Sequence, residues 1–66
     1  MKFQERIVQE LKGSGLSQKE IANKLHIDPA NITNWKKGKG FPSIQVLFEL
    51  CQLLDVSSDY LLGLKD

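Results

Sequence analysis

Between Leu25 and Pro29 the chain has three residues in which to stop one helix and begin another. The first of these helices has a marked start. Ser17-x-x-Glu20 is a capping box, in which the serine hydroxyl and the glutamate carboxylate satisfy each other's exposed backbone N–H groups. The helix it opens runs to about Leu25. After His26 and Ile27, Asp28 is a good N-cap, and Pro29 takes the first helical position, where its missing N–H costs nothing. Two short helices on so tight a turn need apolar side chains to lock them, and Ile21, Leu25, Ile27, Ile32 and Trp35 are placed for that. Ala22 is small where the two helices would cross.

The rest of the chain divides in the same way. Phe3, Ile7 and Leu11 fall at i, i+4 and i+8, one face of a first helix that Gly13-Ser14-Gly15 ends. The Pro29 helix runs to about Lys37 and stops at Gly38, a left-handed C-cap. Gly40-Phe41-Pro42 reads as a loop, and Ser43 caps a fourth helix whose apolar stripe is Ile44, Leu47, Leu50, Cys51 and Leu54. Ser57 caps a last short helix carrying Tyr60, Leu61 and Leu62 and ending at Gly63. No segment reads as a strand and no internal repeat is visible. The expected architecture is all-α: a compact five-helix domain spanning 1–66, with a helix-turn-helix at about 17–37.

Sixty-six residues make at most one domain, one that buries roughly 60% of its unfolded surface. With 41% hydrophobic and 26% charged residues the composition is that of a folded soluble protein. No apolar run approaches the roughly 18 residues of a membrane span, and polar residues follow Met1-Lys2-Phe3 where a signal peptide would be apolar, so the reading is cytoplasmic, without a membrane partner. The single Cys51 excludes an internal disulfide and a multi-cysteine metal cluster, and it reads as a small buried hydrophobe. The lone His26 reads as a turn residue and not as a zinc ligand. There is no paired-carboxylate cleft, Cys–His spacing or phosphate-binding glycine loop, which leaves little room for an enzyme. Neither a metal nor a cofactor is expected.

A helix-turn-helix presents its second helix to the DNA major groove. The net charge of only +1 argues weakly against nucleic acid, but it is unevenly placed: residues 17–40 carry +3 and residues 41–66 carry −3. That asymmetry suits a basic working face and an acidic remainder. The chain resembles the Cro/repressor-type (XRE) helix-turn-helix family in four blocks. These are Gly15-Leu16-Ser17-Gln18-Lys19-Glu20-Ile21-Ala22; Ile32-Thr33-Asn34-Trp35-Lys36-Lys37-Gly38-Lys39; Pro42-Ser43; and Leu54-Asp55-Val56-Ser57 with Asp59-Tyr60-Leu61-Leu62-Gly63. The resemblance implies a five-helix domain that binds operator DNA, commonly as a homodimer on palindromic sites, in a transcriptional regulator or repressor of a bacterium, phage or mobile element. It fits either a whole small regulator or the N-terminal part of a longer repressor. The chain departs from the family pattern twice. His26 stands where the family usually has a turn glycine, and histidine is among the non-glycine residues enriched at positive φ. Leu11 and Lys36 stand where members often pair an arginine with a glutamate. Both partners are absent together, so no buried charge is stranded, and Lys36 is released toward solvent or phosphate.

With Ile32 and Trp35 inward, Pro29, Ala30, Asn31, Thr33 and Asn34 become the candidate base contacts. Asn31 and Asn34 can offer adenine a donor and an acceptor together, while Ala30 and the Thr33 methyl suit a thymine methyl. Asn31 and Thr33 could equally bond phosphate. Candidate phosphate contacts are Gln18, at a helix start supported by the family match, and Lys36, Lys37 and Lys39. Phe41, Pro42, Val56, Ser58, Tyr60, Leu61 and Leu64 are candidate dimer contacts, because so short a last helix cannot turn all its apolar residues inward. Such a contact would be weak off DNA. The competing reading is a protein-binding regulator or antitoxin of the same fold.

Overall fold

Four of the five helices begin on a side chain that accepts a hydrogen bond from the backbone of the first turn. The computed structural model describes residues 1–65, in the order α1 (Phe3–Gly13), α2 (Gln18–Leu25), α3 (Pro29–Lys36), α4 (Ile44–Leu54) and α5 (Ser58–Leu62). The Glu20 N–H donates to Ser17 Oγ and the Ser17 N–H to Glu20 Oε1, both at 3.0 Å, which completes the capping box of α2. Asp28 accepts from the Ala30 N–H at 2.8 Å, Ser43 from Val46 at 3.2 Å and Ser57 from Tyr60 at 3.1 Å. Only α1 starts without such a cap. Among the described residues there is no strand.

Each helix contributes to one core: Phe3 and Ile7 from α1, Ile21, Ala22 and Leu25 from α2, Ile32 and Trp35 from α3, Leu50 from α4 and Leu61 from α5. The Phe3 ring meets Trp35 edge-on at 6.3 Å between centroids, an arrangement that complements the rings' quadrupoles. Ile27 is half-buried against this core, so the residues expected to lock α2 to α3 do so. The turn between them rests on His26, which caps α2 in the left-handed conformation at φ 57°. Gly38 follows α3 at φ 75°. Asp55 ends α4 at φ 56°, a left-handed residue with no glycine to announce it.

The reading of α4 needs one correction. Ile44 is not on the buried stripe; it is 88% exposed, while Val46 and Leu53 join Leu47, Leu50 and Leu54 against the core. The apolar residues of α4 lie on two faces, and counting spacings along the sequence merges them. Arg6 ties α1 to α5 and the residues just after it. Its guanidinium donates to the carbonyls of Tyr60 and Lys65 and lies over the Tyr60 ring, 4.5 Å from its centroid.

Candidate nucleic-acid interface

Ile32 and Trp35 anchor α3 in the core, and the 3.6-residue turn then puts Ala30, Asn34 and Lys37 on the opposite side. Pro29, Ala30, Asn31 and Asn34 are all exposed. Asn31 flanks this row near Ile27, Trp35 and Phe41, with which it lines a shallow cleft. Thr33 flanks it on the other side and is half-buried. Lys37 and Lys39 are exposed just beyond the helix, where the Lys39 N–H donates to the Asn34 carbonyl at 2.8 Å and holds the exit of α3 closed.

Gln18 has a use that its sequence position did not announce. Its side-chain N–H groups donate to the Pro29 carbonyl at 2.9 Å and to Thr33 Oγ1 at 2.6 Å, while its Oε1 accepts from Lys36 Nζ at 3.2 Å. One amide therefore braces the start of α2 against the start, middle and end of α3. This changes the picture of Lys36, which is exposed but not loose: its ammonium is drawn toward the N-terminal end of α2. That end carries the backbone N–H groups a helix leaves open, and they favour an anion. The Thr33 oxygen is likewise engaged within the protein, as the acceptor of the Gln18 bond.

The sites of the missing arginine–glutamate pair do face each other. Leu11 and Lys36 line a cleft of about 140 Å³ together with Val8, Leu16, Gln18 and Ile21. Most of its lining is apolar, and the Lys36 ammonium beside it is held by Gln18.

The expected dimer residues are scattered. Phe41 is 62% exposed, although its ring lies 5.8 Å from Phe3, and Leu64 is 74% exposed. Ser58 is exposed; Pro42, Val56 and Tyr60 are half-buried. Leu61 is a correction: its side chain is fully buried in the core, because α5 turns that residue toward α1, and it is closed to any partner. The sequence reading missed Ile44 and Phe48, which stand exposed on α4. Among the described residues no cluster of three or more His, Cys, Asp or Glu could hold a metal, and no helix is long and apolar enough to cross a membrane.

The helix-turn-helix family model matches residues 7–61, a span that contains the whole of α2, the turn and α3. The chain belongs to the XRE-type helix-turn-helix family. Members of the family are DNA-binding transcription regulators, and the curated relatives carry such names. The chain is 36% identical over 63 residues to the HTH-type transcriptional regulator ImmR of Bacillus subtilis, covering 96% of this chain and 50% of that protein. It is 32% identical to the HTH-type transcriptional activator BcrR of Enterococcus faecalis, again over 96% of the chain but only 31% of that protein. A third relative, the cryptic phage CTXphi transcriptional repressor RstR of Vibrio cholerae, is 27% identical over 96% of the chain and 56% of its own length. The chain thus spans about a third to just over half the length of these XRE-type relatives.

Proposed function

We propose that residues 1–66 act as one operator-binding domain of a transcriptional repressor, reading a palindromic site as a pair and working without a cofactor or catalysis beside the DNA in the cytoplasm. The observation that carries this reading is the exposed row Ala30, Asn34 and Lys37 on α3, opposite the anchors Ile32 and Trp35, with Lys39 just beyond it. In this reading Pro29, Ala30, Asn31, Asn34 and the Thr33 methyl meet base edges, and asparagine favours adenine. Lys37 and Lys39 hold phosphates on one side of the groove. On the other, Lys36 and the open end of α2 that Gln18 secures hold the opposite strand.

A body of 28 × 24 × 22 Å is narrower than the spacing of about 34 to 36 Å between successive major-groove faces, so two copies fit side by side on one face of a duplex. Selection of bound sequences from random duplexes should return an A·T-bearing palindrome with half-site centres roughly 10 to 10.5 base pairs apart. Inserting about half a helical turn between the halves should reduce affinity to that of one half-site. Unchanged affinity and stoichiometry after the insertion would show that each domain binds alone.

The second reading, a protein-binding regulator or antitoxin, draws on the exposed apolar residues of α4. Retention on DNA-cellulose at two salt concentrations separates the two: DNA binding gives retention that falls steeply with salt, whereas a pure protein binder passes through at both.

A further inference from the structure

Of the eleven residues of α4, eight are apolar. Gln45, Glu49 and Gln52 take one side of it, and the apolar residues cover more than the single stripe a surface helix buries, so that Ile44 is left 88% and Phe48 57% exposed. With 3.6 residues per turn, Ile44, Phe48, Cys51 and Asp55 form one stripe, turned well away from the inward residue Leu50. The stripe floors a groove of about 470 Å³ that Val56 and Ser58 close on the α5 side.

We propose that this face of α4 is where two copies of the chain meet, with Ile44 of each entering the far end of the other's groove. This rests on the paired operator-binding reading and names the contact for it. The face can pair with itself, as a two-fold contact requires: the exposed Ile44 stands at one end of the groove, and Cys51, Asp55 and Val56 line its other end. An antiparallel crossing about Phe48 sets each Ile44 opposite Gln52 of its mate and lays the two Phe48 rings together.

Charge points to the same occupant. α4 carries no charged residue in its first turn and no basic residue in its last, so Asp55 is the one charge on the stripe. In the antiparallel pair each Asp55 lies near the N-terminal end of the other α4, where the N–H groups that Ser43 leaves unpaired favour an anion, and the two carboxylates stay at opposite ends. The patch is small beside the ~800 Å² per partner of a standard stable interface, so the contact is weak in free solution and is completed on DNA.

The test uses the full chain with a selected palindrome and with a single half-site, comparing the unaltered protein with Ile44→Asp and Asp55→Asn. Ile44 is exposed, so melting curves should match. Half-site affinity should be unchanged, whereas Ile44→Asp should lose about tenfold or more in palindrome affinity, consistent with two apolar knobs removed from each pair. Asp55→Asn should lose less. On the unaltered protein, maleimide labelling of Cys51 should slow on the palindrome and not on the half-site. Full palindrome affinity for Ile44→Asp, or a labelling rate indifferent to the palindrome, overturns the proposal. If the unaltered chain binds neither duplex, the operator reading fails separately. Sedimentation at high concentration then decides the α4 contact, since the unaltered chain must self-associate and Ile44→Asp must not.

Discussion

His26 holds a left-handed backbone without being glycine, and the turn between α2 and α3 depends on it. For an L-residue that conformation costs roughly 1–2 kcal/mol. Glycine would remove the strain but cost roughly 0.5–1 kcal/mol of additional chain entropy. His26→Gly should therefore change stability by no more than about 1.5 kcal/mol. His26→Val places a β-branched side chain where φ is positive and should lower stability by more than His26→Gly changes it; equal melting temperatures for the two would contradict the turn assignment. Cys51 illustrates a different residue-scale effect. Partial burial pushes its thiol above the usual range and favours the neutral form. Its contribution is complete below the unfolded thiol's pKa and is lost as pH rises through the folded value, so alkylation should run slower at neutral pH than for an exposed thiol.

The brace between α2 and α3 is a property of elements, since Gln18 gains its partners only when the two helices cross. Gln18→Ala should lower affinity by the same factor on every duplex, because it loosens the frame and not a base contact. Asn34→Ala should cost about 1 to 3 kcal/mol on the best site and relax preference at one base pair. Titrating both variants against the selected site and a scrambled duplex distinguishes these outcomes. The capping box adds a pH dependence. Hydrogen bonds from the backbone and then the side chain of Ser17 hold the Glu20 carboxyl below its ordinary value. Its stabilisation is present above the unfolded carboxylate range and disappears as pH falls through the folded value. Glu20→Gln keeps a capping residue without the titration, so the two proteins should differ at neutral pH and converge in acid. Helix starts were legible because each cap is local: Ser17, Asp28, Ser43 and Ser57 act within three residues. The left-handed Asp55 was not, for no glycine marks it. The Gln18 brace and the outward Ile44 were hidden for another reason, as both depend on where a neighbouring helix lies.

At the scale of the whole molecule, charge is divided between a basic stretch at residues 17–40 and an acidic one at residues 41–66. The operator reading requires affinity to fall with salt at a slope of about −0.9 per neutralised phosphate. Lys37→Ala and Lys39→Ala should each flatten the slope by about one unit, and unchanged slopes in both would remove these lysines from the interface. The core has little to spare, since a domain's net stability is of the order of 5–15 kcal/mol and Ile32→Ala should cost about 2–5 kcal/mol of it. The Arg6 clasp, which ties α1 to the carbonyls of Tyr60 and Lys65, has its own consequence. A Cβ built on Gly63 would stand 3.1 Å from Lys2, so the start of α1 and the end of α5 lie side by side. A permuted chain, joined end to end through a short glycine linker and opened in the Gly40–Pro42 loop, would begin with α4 and end with α3. It should fold to the same body and prefer the same DNA.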